Sequence, residues 1–202
     1  MSRIILASQS PRRRELLTQM GVDFMSVPSD FNEYLDDSRS PESVSIELAI
    51  GKAMMVASSY PDDIVIGSDT IVTINGKQLA KASDDNEAKQ MLKLLSGTHN
   101  EVTTGLAVIR LSDNTKITGS DTTTVYFRPY NEKLVNRYIE TGDYIDKAGA
   151  YGIQSGAASL IEYFRGNYDT ILGLPTKLLS DFLQKLGINV EPVKLQPPTE
   201  QK

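Results

Sequence analysis

The first apolar run of the chain is followed at once by a helix start signal. Residues 3–8, with the apolar run Ile4, Ile5 and Leu6, predict a buried strand, and Ser10 with Pro11 predicts the N-cap and first turn of a helix. This helix is expected to stop at Gly21. Four free backbone N–H groups and the positive end of the helix dipole would then face the intervening turn, a favourable place for an anion.

The same start signal returns at Ser40 and Pro41 and predicts a second helix through about residue 58. The residues expected to share its buried face are Val44, Leu48 and Met55. Residues 63–74 then predict a strand system, and Asn75-Gly76 is a hairpin turn signal.

The remaining pattern predicts a long hairpin and several amphipathic helices. Residues 84–96 form an acid-capped helix that Gly97 closes, and residues 102–111 and 116–127 form an antiparallel hairpin. Further elements are expected at residues 131–140 (helix), 160–164 (strand) and 175–186 (helix). Because strands and helices mingle without strict alternation, we predict an α/β fold with a mixed central sheet, flanking helices and two lobes around a cleft. Residues 1–195 are expected to form one catalytic domain, and residues 196–202 a disordered polar tail.

Composition narrows the possible chemistry. With a net charge of -5, the chain is not expected to bind nucleic acid polymers, and any phosphate site must use a few concentrated basic residues. There is no cysteine and only one histidine, His99, so thiolate and multi-histidine metal sites are excluded. Oxygen ligands, and therefore Mg²⁺ or Mn²⁺, are the natural alternative. The first apolar run is too short for a signal peptide or membrane span, so we expect a cytoplasmic protein.

The segment from Ser8 to Arg14 is the clearest candidate for phosphate binding. It places hydroxyls, backbone donors and three consecutive arginines, Arg12, Arg13 and Arg14, where a strand opens into a helix. An ordinary capped helix with solvated arginines explains the same residues equally well. Arg12 and Arg13 point to different faces of the helix, so not every arginine needs to contact one ligand.

Two carboxylates are candidates for metal binding or base catalysis. Asp69 interrupts an apolar run at the end of a strand, where an unpaired charge would be costly. It is a metal ligand, a general base or simply a turn-capping residue. Glu33, in a polar connection, would complete an oxygen shell with Asp69, although alone it resembles any surface residue.

Three further residues become candidates only together with Asp69. Lys52 and Lys81 could both reach a cleft beside it, although single lysines are usually solvated. Gln154 lies in a glycine-rich segment that allows close approach to a ligand, and its amide can pair with a base edge. His99 is expected to pack or cap near Gly97.

In order and spacing, these residues resemble the pattern of the Maf family over about residues 3–186. The matching positions are Ser8 to Arg13, Glu33, Lys52, Gly67 to Thr70, Lys81, and Lys147 to Gln154. The resemblance implies a metal-dependent enzyme that cleaves a nucleoside triphosphate between the α and β phosphates. It also implies that Asp69 is the catalytic carboxylate and that Glu33 and Asp69 hold the metal. The phosphate-binding residues that it implies are Ser8, Arg12, Arg13, Lys52 and Lys81.

The resemblance extends to the branch of the family that acts on dTTP and UTP, because this chain carries Arg12, Thr70 and Gln154. The branch that acts on 7-methyl-GTP resembles a pattern with Trp in the place of Arg12 and Gln in the place of Thr70. Two departures from the family pattern stand out: Ala82 follows Lys81 in place of a proline, and Asn32 precedes Glu33 in place of an aspartate. The first could loosen the lysine loop, and the second removes one charge near the expected metal.

Two alternatives belong to other functional classes. The family's association with septum formation suggests a nucleotide-binding regulator of cell division whose hydrolysis is vestigial. A nucleotidyltransferase would use the same triphosphate contacts, although the sequence offers no acceptor site. A homodimer is expected from the resemblance alone.

Overall fold

A seven-stranded mixed sheet lies at the centre of this computed structural model, which describes residues 2–154 and 156–195. Its strands are β1 (Ile4–Leu6), β2 (Phe24–Ser26), β3 (Ile64–Ile74), β4 (Lys77–Leu79), β5 (His99–Arg110), β6 (Thr115–Phe127) and β7 (Ile161–Arg165). The order is β2-β1-β3-β5-β6-β7, with β4 paired to the far end of β3. β2, β1 and β3 are parallel and all other pairs are antiparallel, which confirms the predicted mixed α/β class.

Helices cover both faces of this sheet. They are α1 (Pro11–Gln19), α2 (Pro41–Ala57), α3 (Asp85–Leu95), α4 (Glu132–Glu140), α5 (Tyr168–Ile171) and α6 (Thr176–Lys185), with one 3₁₀ turn at Gly156–Ser159. One apolar core joins α2 to one face, through residues such as Ala49, Ala53 and Val65. A larger core on the other face packs residues of α1, α3, α4 and α6. In the part of the chain described, no helix is long and apolar enough to span a bilayer.

Helix α2 lies unusually close to the sheet because two glycines face it. A Cβ atom at Gly67 would collide with the backbone oxygen of Ala49, and one at Gly105 with the backbone of Ser45. This approach turns Lys52 onto the buried face of α2, whereas Met55 is 45% exposed. The prediction that Met55 shares the buried face is therefore wrong, since the small residues that meet the glycines set the face instead.

Most predicted elements are present, with informative differences at their ends. Asn75 and Gly76 form the expected turn, both with positive φ. β5 starts three residues before the predicted strand because His99 is paired with Tyr126 of β6, and the two rings contact each other at a tilt, which agrees with a packing role. Ser10 is the N-cap residue of α1 and Pro11 its first helical residue, as predicted, although the Ser10 side chain makes no capping hydrogen bond. The short elements β2 and α5 were not predicted, and the proposed tail at residues 196–202 lies outside the described residues.

The close packing of α2 predicts that Gly105→Ala is strongly destabilising. The added methyl group meets rigid helix backbone, and overpacking of this kind costs about 1–3 kcal/mol or more. Urea unfolding of both proteins measures the difference. Gly119→Ala is the matched control on the neighbouring strand, because the nearest atom to its added methyl group belongs to the Phe182 side chain, at 3.1 Å, and not to backbone. Equal losses in the two variants would contradict the importance of the α2 contact.

Candidate active site

A cleft of about 420 Å³ opens where β1 ends beside the middle of β3. β1 pairs with β3 only as far as Ile66, so the next residues of β3 lie at an open edge of the sheet. Successive side chains of a strand point to opposite faces. Asp69 therefore faces α2 while Thr70 faces α1, and the cleft reaches both side chains. Its location beyond the carboxyl end of a parallel strand is the usual one for ligand sites in α/β sheets.

The centre of the cleft is a lysine shared by two carboxylates. Lys52 Nζ donates to Asp69 Oδ1 at 2.5 Å and to Glu33 Oε1 at 2.6 Å. Lys52 and Asp69 are 7% and 5% exposed, whereas Glu33 lies at the open side. Close contact of α2 with the sheet makes this possible, since Gly105 is the register partner of Asp69 on β5. The three residues that the sequence analysis grouped are thus in direct contact.

The pKa values of the two carboxyl groups are displaced in opposite directions. Burial raises the pKa of Asp69 above its ordinary value, although the charges of Lys52 and Arg13 act against this shift. For Glu33, burial also raises the pKa, but the hydrogen bonds and charges of Lys52 and Lys81 outweigh it and hold the pKa below normal. Carboxyls with separated pKa values can serve different roles, because Asp69 is the better proton acceptor and Glu33 stays ionised to lower pH.

The side chain of Arg13 extends from α1 to the open edge of β3. Its Nε donates to the backbone oxygen of Gly173 at 2.8 Å, and its terminal nitrogens donate to Ser8 Oγ at 3.2 Å and Thr70 Oγ1 at 3.3 Å. Thr70 also shares a 2.9 Å hydrogen bond with Thr104. Arg13 is therefore held rigidly, with its remaining N–H groups available to the cleft.

Ser8 and Arg12 differ from Arg13 in their surroundings. Ser8 is buried, accepts hydrogen bonds from Arg13 and from the Ser10 backbone, and does not line the cleft. Arg12 lines the cleft, and no hydrogen bond or ion pair holds its side chain within residues 2–154 and 156–195. Ser8 is therefore placed to orient Arg13, and Arg12 is the basic residue with the freedom to meet a ligand.

Lys81 enters from the β3–β4 hairpin. Its Nζ lies 3.3 Å from Glu33 Oε2, and its backbone forms an isolated antiparallel bridge with Ala148. The backbone N–H of Gly149 also donates to Ala80. This bridge joins the lysine to the glycine-rich segment on the opposite side of the cleft, where Gln154 lies exposed at the wall.

The glycine-rich segment brings apolar side chains to one wall of the cleft and is rigidly supported. Tyr151 is buried and exchanges hydrogen bonds with the Asn100 amide at 3.0 and 3.1 Å. The backbone N–H of Gly152 donates to the hydroxyl of Tyr138. The apolar side chains lining this region are Val72, Val102, Tyr151, Ile153, Ile171 and Leu172. A flat aromatic or sugar group would fit beside the cationic region.

The sequence analysis missed several residues of the cleft wall. These are Val72, Val102, Asp143, Asp146, Ile171, Leu172 and Gly173. Most of them line the cleft because of the way strands pair or because turns distant in the sequence fold back to it. Neither leaves a recognisable pattern in the local sequence. Gly173 is an exception, since a Gly before Leu-Pro marks a turn and its φ of +94° fits that role.

The donor set is compatible with a hard divalent cation supplied together with a phosphate ligand. Within the described ranges, no group of three or more His, Cys, Asp or Glu side chains is placed to hold a metal ion. Glu33 and Asp69 nevertheless present carboxylate oxygens to one common point, now met by the Lys52 ammonium. Mg²⁺ commonly binds one or two carboxylates and completes its shell with water and phosphate oxygens.

Comparison with known proteins agrees with this architecture. The family model described as Maf-like protein matches residues 3–186. A protein of Thermococcus gammatolerans named dTTP/UTP pyrophosphatase is 46% identical over 187 residues, covering 93% of this chain and 98% of its own. Proteins of the same name from Pyrococcus furiosus (45% identity, covering 87% of this chain and 90% of its own) and Clostridioides difficile (40%, covering 90% and 94%) are also similar.

The fold has a more distant counterpart among solved structures. The Ham1 protein of Staphylococcus aureus superposes with a TM-score of 0.51 at 15% identity, covering 92% of this chain and 100% of that one. This likeness concerns the fold alone, whereas the family model and the relatives extend over nearly the whole sequence. The chain therefore belongs to the Maf family.

Proposed function

We propose that this chain is a nucleoside triphosphate pyrophosphatase that hydrolyses dTTP and UTP to the monophosphate and pyrophosphate. The observation that carries the proposal is the buried Asp69 carboxylate beside the cations Lys52, Arg13 and Lys81 in a cleft with one apolar wall. Its relatives named dTTP/UTP pyrophosphatase support the choice of reaction and base.

In this mechanism Asp69 accepts a proton from the water that attacks the α-phosphate. A base must be close to its proton and have a pKa near the working pH, and the raised pKa of Asp69 brings it towards that range. Arg12, Arg13, Lys52 and Lys81 would bind the phosphate oxygens, with Ser8 holding Arg13 from behind. Fixed cations stabilise charge on the departing pyrophosphate, and no covalent intermediate is needed.

We further propose that Glu33 and Asp69 hold Mg²⁺ or Mn²⁺ when nucleotide is bound. A divalent ion there supplies positive charge for the phosphates and lowers the pKa of a bound water. Binding requires Lys52 to release at least one carboxylate, and a nearby phosphate would give its ammonium a new partner. Asn32, which is uncharged, limits the negative charge beside this position.

Base selection is assigned to Arg12, Thr70 and Gln154. Thr70 is fixed between Arg13 and Thr104, while Gln154 lies exposed near the apolar wall. An amide can both donate to and accept from a pyrimidine edge. We also propose that residues 1–195 form one catalytic domain, that the protein acts in the cytoplasm as a homodimer, and that its partner is a nucleotide and not a nucleic acid polymer or membrane.

The first prediction is that Asp69→Asn removes turnover while the fold persists. Loss of the proton acceptor should lower kcat by about 100-fold or more. Pyrophosphate release from dTTP, UTP, other nucleoside triphosphates and 7-methyl-GTP, with and without Mg²⁺ or Mn²⁺, measures it. Asp62→Asn, the same change at an exposed carboxyl before β3, should be near wild type.

The outcomes separate the alternatives. Wild-type turnover no faster than that of Asp69→Asn, despite tight nucleotide binding, would favour the regulator. A nucleotidylated product formed with an added acceptor would favour a transferase, and a preference for 7-methyl-GTP would reassign the branch.

The second prediction concerns pH. Activity requires the ionised form of Asp69, so kcat/KM should fall on the acid side with an apparent pKa above the usual value of about 4 for an aspartate. Lys52 lowers the pKa of Asp69, so Lys52→Met should raise it further and move the acid limb to higher pH. A pH–rate profile of both proteins tests this, and an acid limb at unchanged pH in Lys52→Met would contradict the coupling.

The third prediction concerns Gln154→Ala. The ratio of kcat/KM values among pyrimidine and purine triphosphates should change by more than the average loss, which we expect to be within about tenfold for one hydrogen-bonding group. The same nucleotide panel provides the measurement. An equal loss for every triphosphate would assign Gln154 to phosphate binding instead.

A further inference from the structure

The residue that faces Lys52 from the open side, Glu33, lies on a segment with no helix or strand. Residues 27–40 connect β2 to α2. Such a segment lacks the regular hydrogen bonds that fix a side chain in place. Glu33 nevertheless meets both Lys52 and Lys81. Something outside the segment must therefore hold it.

Gln78 on β4 is bonded to this segment at four points. Its side-chain Nε2 donates to the backbone oxygens of Asp36 (2.8 Å) and Arg39 (3.3 Å), and its Oε1 accepts from the Asp36 backbone N–H (3.3 Å). Its own backbone N–H donates to Asp37 Oδ1 at 2.8 Å. Gln78 is 5% exposed, so its own polar groups are buried, while their partners on the segment are partly exposed. Leaving one of these buried groups unpaired would be costly.

Hairpin geometry explains why Gln78 can make these contacts. The two-residue turn pairs Ile74 with Lys77, and the next pair, Thr73 with Gln78, is of the type without hydrogen bonds between its strands. The Gln78 N–H therefore points away from β3, and among the described residues no further strand pairs with β4. The segment carrying Glu33 occupies this free edge.

The same strand leads directly to the active site. Three residues after Gln78, Lys81 reaches Glu33 Oε2 at 3.3 Å. On the other side of Glu33, Phe31 packs so closely over Gly51 that a Cβ there would collide with its ring. The segment is therefore fixed on both sides of Glu33, by the packing of Phe31 before it and by the hydrogen bonds of Gln78 after it.

We infer that Gln78 is the positioning residue for Glu33: by binding residues 36–39 to β4, it holds the Glu33 carboxylate against Lys52 and Lys81. Gln78 does not line the cleft and has no direct role in the chemistry. The catalytic consequence rests on the proposed function, whereas the structural anchoring does not.

Two variants of Gln78 separate shape from hydrogen bonding. Gln78→Met keeps the length of the side chain and loses all its polar contacts. Gln78→Glu keeps an acceptor for Asp36 but brings a carboxylate against two backbone oxygens that need donors. Lys77→Met is the control, because Lys77 is the exposed neighbour on the same strand.

Hydrogen exchange tests the anchoring without any need for activity. Amides of residues 34–40 should exchange about tenfold faster in both Gln78 variants, since at least one buried hydrogen bond is lost, while Lys77→Met leaves them unchanged. Unchanged exchange in the Gln78 variants would overturn the inference.

Kinetics in a double-mutant cycle test the link to Glu33. Gln78→Met should lower kcat/KM about tenfold in the wild-type background and by less than about twofold in Glu33→Gln, where the carboxylate is already absent. An equal loss in both backgrounds would show a general structural role and overturn the inference. If the wild-type protein releases no pyrophosphate, the proposed function fails, and the exchange result alone decides whether Gln78 anchors the segment.

Discussion

The shared lysine between Asp69 and Glu33 is the interaction on which the rest of the site depends. A buried charge is costly unless it is paired, and two carboxylates close together would repel each other. Lys52 compensates both, so the carboxylates lie together before any ligand is present. Because a buried ion pair seldom adds net stability over apolar packing, the arrangement is better explained by chemistry than by folding. Under the proposed function, the Lys52 ammonium lies where the divalent cation that accompanies the nucleotide would bind.

This arrangement requires α2 to approach the sheet more closely than ordinary side chains permit. Gly67 and Gly105 give that space, and Ala49 and Ala53 fill it. Gly105 pairs with Asp69 across the sheet, so the closest contact of the helix lies beside the carboxylate that Lys52 must reach. The open edge of β3 beyond β1 then exposes the same region to ligand. The stretch of β3 that packs most closely against α2 is therefore also the stretch that a ligand can reach.

The sequence is informative where local chemistry and order decide the outcome. The elements that open with Ser-Pro and the Asn75-Gly76 turn follow from residue type and spacing, and the grouping of Glu33, Lys52, Asp69 and Lys81 follows from their resemblance to the Maf pattern. Met55 was misplaced because the buried face of α2 depends on glycines in other elements. Ser8 lies behind Arg13 and not on the cleft wall, a distinction that only the three-dimensional arrangement decides.

Arg12 and Arg13 illustrate how adjacent and chemically identical residues acquire different roles. Arg13 is bonded to Gly173, a residue 160 positions later, whose carbonyl also accepts from the buried hydroxyl of Ser68. This contact ties α1 to the turn after α5, and it was not recognisable from either local sequence. A guanidinium fixed in this way gains geometric precision but loses freedom to follow different ligands. Arg12 has no such bond within the described residues and keeps that freedom. Under the proposed function, Arg13 would therefore hold one fixed phosphate position, and Arg12 could adjust its phosphate contact to the nucleotide that is bound.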